Sequence, residues 1–225
     1  MNCKSCSRTN EHGNIKFDTY ISLLNRHDPN LFDWLKLQGL GEPMMYPQIE
    51  QLVEVAHDRG YRKVMTITNG TLPIIGNFNK VIVSLNSVRD PKFSKVMYNI
   101  NDALDRGYNL SINCVLTNES TRDDIKNMQN LTDNLGIHLD LTPMEVWYGT
   151  DHQCYKESRD NAMKAYDLFN IHETHRIDSC EWGVTSLYHD YLGRLHPCCI
   201  RMTDEYIIDS VDNYNYETCC KECPL

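Results

Sequence analysis

Residues 80–116 read KVIVSLNSVRDPKFSKVMYNINDALDRGYNLSINCVL, and this stretch decides the fold. Lys80 to Leu85 is a short β-branched run that reads as a strand. Asp90 to Arg106 is amphipathic and mostly helical, and Gly107 ends it. Leu110 to Leu116 is again a strand. A strand, a helix and a second strand in this order imply parallel pairing through a right-handed crossover.

The same alternation extends in both directions. Upstream, a helix is predicted over Asp18 to Arg26, with Tyr20, Leu23 and Leu24 inward, and a strand over Phe32 to Leu37. Gln48 to Arg59 carries Ile49, Leu52, Val53 and Ala56 at helical spacing, with Gly60 as its stop, and Lys63 to Thr68 is a strand. Downstream, Arg122 to Leu135 is a helix closed by Gly136, and Ile137 to Leu141 is a strand stopped by Pro143. Five strands are expected through Met144, in an open sheet or part of a (β/α) barrel. In either architecture chemistry belongs at the C-terminal ends of the strands. The pattern changes near residue 150. One helix, Arg159 to Phe169, is expected beyond it, followed by a segment rich in cysteine, histidine and tyrosine.

Composition narrows the function. With 31 acidic and 22 basic residues the formal charge is −9, which disfavours broad electrostatic binding to nucleic acid. No apolar run approaches the roughly 18 residues of a membrane helix, and the N-terminus lacks the apolar stretch of a secretory signal, so a cytoplasmic location is expected. Ten cysteines in such a chain favour metal binding over disulfides. They gather at the ends: Cys3 and Cys6 at the start, and Cys180, Cys198, Cys199, Cys219, Cys220 and Cys223 at the finish. Two metal sites are the natural reading.

Cys3-Lys4-Ser5-Cys6 lets two thiolates face one centre, and alone it reads as a redox dithiol, half a zinc site, half an iron–sulfur site or no site at all. Gly39-Leu40-Gly41-Glu42-Pro43 follows a strand, where glycines allow close approach to the backbone; alone, it reads as a strand-to-helix turn. Cys180 is followed after twelve residues by Gly193 and after four more by Cys198, and Cys220-Lys221-Glu222-Cys223 adds a pair. Four such thiolates can complete a tetrahedral zinc site or a 4Fe–4S cluster. Gly193-Arg194 reads as a hairpin turn that brings Cys198 back towards Cys180.

Taken together, these motifs resemble the radical S-adenosylmethionine (SAM) superfamily, in particular members with a SPASM or Twitch C-terminal extension. Asn2 to Cys6 is similar to the second half of that family's Cys-x-x-x-Cys-x-x-Cys signature. Gly41-Glu42-Pro43 resembles its Gly-Glu-Pro motif, Thr68 to Leu72 the segment after its third strand, and Ile82 to Asn86 its fourth strand. Cys180 through Gly193 to Cys198, then Cys220 and Cys223, resembles the auxiliary-cluster pattern. The resemblance implies a partial (β/α) barrel over 1–150 and a small cysteine-rich domain over 151–225. It also implies an oxidoreductase that reductively cleaves SAM to a 5′-deoxyadenosyl radical, which abstracts hydrogen from a peptide, protein or small-molecule substrate. A flavodoxin or ferredoxin would be the electron donor.

By the same resemblance, Cys3 and Cys6 are ligands of the SAM-binding 4Fe–4S cluster. Gly41, Glu42 and Pro43 meet the SAM amino group, Ser84 and Asn86 the ribose, and Val115 the adenine. Cys180, Cys198, Cys220 and Cys223 hold one auxiliary 4Fe–4S cluster, with Cys199 and Cys219 as neighbouring candidates. No general base is singled out. The family's first signature cysteine falls before Met1, as does its first strand, so the expectation is a chain that starts late. The alternative is a catalytically degenerate metal-binding module with a structural zinc or iron–sulfur site. Among the remaining residues, Cys114 reads as a core thiol, His196 as a hydrogen-bond donor to a cluster sulfur, and Asp123-Asp124 as a solvated helix face.

Overall fold

The structure, a computed structural model, describes residues 13–39, 41–116, 120–143, 186–198 and 207–210. The chain divides into two compact units. One spans Ile21–Pro143; the described residues 13–20, 186–198 and 207–210 belong to the other.

The chain order is α1 (Phe17–Arg26), β1 (Leu35–Leu37), α2 (Ile49–Asp58), β2 (Val64–Thr68), β3 (Lys80–Ser84), α3 (Phe93–Asp105), β4 (Leu110–Leu116), α4 (Arg122–Leu135) and β5 (His138–Pro143). Strands β1 to β5 form one sheet in sequential order, and every neighbouring pair is parallel. Helices connect β1 through β2, and β3 through β5, whereas β2 passes to β3 by a loop. This is the expected α/β architecture, and it is consistent with a partial barrel.

Residues paired in register on parallel strands share a face, and successive residues alternate faces. One face carries Val64, Thr66 and Thr68 of β2, Val81 and Val83 of β3, and Ile112, Cys114 and Leu116 of β4, all buried. The helices bury matching stripes: Leu52, Val53 and Ala56; Val96, Ile100 and Ala103; Ile125, Met128 and Thr132. Each large apolar side chain removed from water here stabilises the fold by about 1.5–3 kcal/mol. Gly70 shows how tightly α3 sits: a Cβ there would lie 2.8 Å from Val83 and 2.9 Å from Val96, at a φ of +68°. The buried Asn99 amide of α3 donates to the Gly70 carbonyl at 2.8 Å, so the turn is held as well as packed.

The other face is different. Met65, Ile67, Ile82, Ser84, Asn113, Val115, Asp140 and Thr142 lie on it, all partly exposed. Ser111, opposite Ile82 on the same face, is buried.

Three expectations need correction. The first strand begins at Leu35 rather than Phe32, because Asp28 caps a 3-10 turn over Pro29–Leu31 and the Phe32 N–H bonds back to Pro29. The last strand runs through Pro143 rather than stopping before it. Asp124 is not solvated: it is 7% exposed and paired with Arg89.

In the second unit, β6 (Tyr188–His189) and β7 (Leu195–His196) form an antiparallel hairpin, with Gly193 at φ +80° in its turn. Gly13 lies so close to this hairpin that a Cβ on it would sit 2.3 Å from the Tyr191 ring. The expected helix at 159–169 lies outside the described residues. Among the described residues no helix is long and apolar enough to cross a membrane.

Candidate functional site at the C-terminal edge of the sheet

Glu42 organises the first part of the site. It caps a 3-10 turn over Pro43–Met45, where proline at the first position loses no hydrogen bond. Its Oε1 accepts the Met44 N–H at 3.1 Å and the Thr68 hydroxyl at 2.6 Å. Its Oε2 accepts the Asn69 N–H at 2.8 Å. One carboxylate therefore ties the turn after β1 to the end of β2. Thr68 Oγ1 in turn accepts the Gly70 N–H at 3.1 Å, and Asn69 Oδ1 accepts from the Thr71 backbone at 2.8 Å. With its oxygens engaged, Glu42 shapes the turn, whose Glu42 and Pro43 carbonyls accept the Met45 and Tyr46 N–H groups at 3.0 and 2.9 Å. A Cβ at Gly41 would meet nothing within 4 Å, so packing does not demand the glycine and the space beside it is open.

The second part joins β3 to β4. Asn86, two residues beyond β3, accepts the Val115 N–H on its Oδ1 at 2.9 Å, and its carbonyl accepts from Cys114 Sγ at 3.3 Å. Ser84 sits on the partly exposed face at the end of β3, and its hydroxyl makes no hydrogen bond among the described residues. Val115 shares that face, with its N–H taken by Asn86 and its side chain half-buried. Cys114, on the buried face, has its thiol pushed up to about 11, first by burial and then by the charge of Asp124.

A third network fixes the loop after Asn86. Ser87 Oγ donates to Asp124 Oδ1 at 3.1 Å, Arg89 pairs with the same oxygen, and Thr121 donates its N–H to Oδ2 at 3.1 Å. Thr121 and Asp124 form a reciprocal capping box at the start of α4. Burial opposes ionisation of Asp124, but the bonds from Arg89, Thr121 and Ser87 outweigh it and lower its pKa to about 2.

Sequence reasoning missed the pair Asn113 and Thr142. The Thr142 hydroxyl donates to Asn113 Oδ1 across β4 and β5, on the partly exposed face. The available signal was a polar residue between the apolar Ile112 and Cys114 of a buried strand.

Of the expected ligand residues, Gly41, Glu42, Pro43, Ser84, Asn86 and Val115 all fall at or just beyond the C-terminal ends of β1, β3 and β4. Cys3, Cys6, Cys180, Cys220 and Cys223 lie outside the described residues, as do Cys199 and Cys219. Cys198 is buried and is not part of a disulfide. It follows the hairpin whose turn is built on Asp190. Asp190 Oδ1 accepts the backbone N–H groups of Leu192 and Arg194, each at 2.9 Å; Oδ2 accepts Arg194 Nε at 2.6 Å. Burial works against the Asp190 carboxylate, yet the bonds from Arg194 and His196 and the Arg194 charge keep its pKa below the ordinary value.

No family model and no curated protein matches the sequence. Solved structures do match. Streptococcus suis SuiB bound to S-adenosylmethionine superimposes with a TM-score of 0.68 at 14% identity, over 99% of this chain and 63% of that one. The chain thus spans under two thirds of SuiB's length. Native anSMEcpe with bound AdoMet and Cp18Cys peptide matches at TM-score 0.61 and 16% identity, over 99% of this chain and 76% of that one. The same protein with Kp18Cys peptide gives 0.63 and 14%, over 98% and 76%. With its parallel sheet and these neighbours, the chain has the fold of the radical SAM enzymes.

Proposed function

We propose that this chain is a radical SAM iron–sulfur enzyme acting on a peptide. The observation that carries the reading is the Glu42 clamp. It pins the Gly41-Glu42-Pro43 turn to Thr68 and Asn69 on the edge of a sheet whose neighbours hold AdoMet. A 4Fe–4S cluster with SAM, when bound, supplies reductive cleavage and hydrogen abstraction. Cys3 and Cys6 would hold that cluster.

The residues present fit SAM in kind. The open space beside Gly41 leaves room for a ligand against the turn. The unengaged Ser84 hydroxyl and the Asn86 amide suit ribose hydroxyls, and the half-buried Val115 side chain suits adenine. The partly exposed sheet face, with Asn113 and Thr142 hydrogen-bonded across it, would orient the substrate. A peptide is favoured because anSMEcpe is seen with peptides beside AdoMet. In this reading residues 1–150 form the core domain. Residues 151–225 form a Twitch-like domain, with Cys180, Cys198, Cys220 and Cys223 on an auxiliary cluster. The protein works in the cytoplasm with a flavodoxin or ferredoxin as donor.

Anaerobic reconstitution with iron and sulfide of a form that carries the upstream signature cysteine together with Cys3 and Cys6, then addition of dithionite and SAM, tests the reading. Release of 5′-deoxyadenosine, abolished by Cys3→Ala or Cys6→Ala, is the expected result. A brown, iron-loaded protein that never releases it would be a metal-binding module instead. A colourless protein with tightly bound zinc would overturn the iron–sulfur reading altogether.

A further inference from the structure

The partly exposed face of the sheet is ordered in rows, because residues in register on parallel strands lie side by side. Lys36, Met65 and Lys80 form the row nearest the N-terminal ends of the strands. Ile67, Ile82, Ser111 and His138 form the next. Ser84, Asn113 and Asp140 follow, and Val115 and Thr142 come last. Charge changes sign along this face. Both lysines of the five strands sit in the first row. Asp140 is the one carboxylate those strands carry, and it sits in the third row.

The third row has bonding capacity to spare. The Thr142 hydroxyl donates to Asn113 Oδ1, which fixes the amide and leaves Nδ2 without an acceptor among the described residues. Asp140 Oδ1 meets His138 Nε2 at 3.1 Å, and Oδ2 has no partner among the described residues. The Asp140 side chain is 40% exposed, so a ligand can touch it. Ser111, one row below Asn113 on the same strand, has a buried hydroxyl with no partner among the described residues. Buried polar atoms are nearly always hydrogen-bonded, so unmet donors and acceptors gathered on one patch point to a polar ligand that completes the set. Two strand spacings, about 10 Å, separate Asp140 from Ser84. A group held at Asp140 thus lies past Asn113 from the ribose position proposed at Ser84.

We propose that Asp140 is a specificity-determining residue of the substrate site: it takes the cationic side chain of a lysine or arginine in the peptide, while Asn113 Nδ2 donates to a backbone carbonyl of the same peptide. The charges select this occupant. A cation is drawn to the row of Asp140 and repelled by the row of Lys36 and Lys80, and an acidic side chain meets the reverse field. Donor and acceptor stand on neighbouring strands about 5 Å apart, a separation that a basic residue spans between its carbonyl and its cation. The inference rests on the peptide reading of the proposed function but not on SAM cleavage.

The test uses the same reconstituted protein, with and without SAM, and end-blocked glycine peptides carrying one central lysine, arginine, glutamine or glutamate. Equilibrium dialysis reads their affinities. At low salt the lysine and arginine peptides should bind about three- to fivefold more tightly than the glutamine peptide, the worth of one partly exposed ion pair, and the glutamate peptide least tightly. Added salt should narrow the gap. Asp140→Asn should bring the lysine and glutamine peptides level, and Asp140→Lys should favour glutamate. Asn113→Ala should weaken all four alike, because the carbonyl is common to them; unchanged affinities there remove Asn113 from the contact. The wild-type ranking decides by itself if a variant fails to fold: equal affinities for lysine and glutamine, or no peptide bound, overturn the proposal. A ranking that persists in Asp140→Asn overturns it as well. Charge discrimination in a protein that releases no 5′-deoxyadenosine upholds Asp140 and removes the SAM chemistry. Release of 5′-deoxyadenosine by a protein blind to the charge of the peptide does the reverse.

Discussion

Glu42 and Asn69 stand on different strand ends, and the Glu42 Oε2 accepts the Asn69 N–H at 2.8 Å. The other oxygen takes Thr68 and Met44. Replacing Glu42 by Ala leaves three donors without this acceptor. Bonds to a charged group contribute about 1.5–3 kcal/mol, so Glu42→Ala should lower stability in urea by roughly 2–3 kcal/mol. Glu42→Gln keeps one acceptor oxygen and should lose about half of that. An unchanged urea midpoint in Glu42→Ala would mean that the clamp holds nothing.

Ser84 calls for the opposite result. Its hydroxyl makes no hydrogen bond among the described residues, so Ser84→Ala should change stability by less than about 0.5 kcal/mol. If the hydroxyl meets ribose, SAM affinity of the reconstituted protein should fall about two- to tenfold, the worth of one hydrogen bond. Calorimetric titration with SAM measures this, and equal affinities would remove Ser84 from the site.

Asp124 makes stability depend on acid. Its pKa falls from 3.8 to about 2 on folding, so the folded state favours the charged form. The stabilisation is fully present above about pH 4 and is lost as pH falls through about 2; its size is on the order of 2 kcal/mol. Asp124→Asn should flatten the stability profile in that window and lower stability at neutral pH. A variant that keeps the wild-type acid profile would assign the dependence to other carboxylates.

Cys114 should be inert while the sheet is folded. A thiol raised from 9.0 to about 11 has roughly a hundredfold less thiolate at pH 8, and burial slows it further. Peptide mapping after iodoacetamide treatment should find Cys114 modified only once the protein is unfolded. Rapid labelling in the native protein would show that β4 opens locally.

The sheet was legible because its signals are local. The strand Leu110–Leu116 and the helix Arg122–Leu135 keep the bounds read from periodicity and the closing glycine. The parallel order follows from the alternation of elements. What periodicity could not supply was partnership at a distance. Asp124 looks like an exposed acid on a helix end until Arg89, arriving from the β3 loop, covers it. Asn113 and Thr142 meet only because β4 and β5 pair in a register that no single strand encodes. The motif positions were readable as strand ends, yet nothing in the Gly-Glu-Pro turn announces that the Glu42 carboxylate is spent on Thr68 and Asn69.

The contact of Gly13 with Tyr191 sets an order of events. The sheet unit, Ile21–Pro143, is contiguous in sequence and needs nothing later in the chain for its strand pairing. Gly13 precedes that unit in sequence and Tyr191 follows it. On a ribosome, chains emerge N-terminus first and domains fold as they appear. Gly13 must therefore wait, through the synthesis of every strand of the sheet, for the aromatic ring it packs against. The unit that draws on both flanks of the sheet is therefore completed after the sheet already stands.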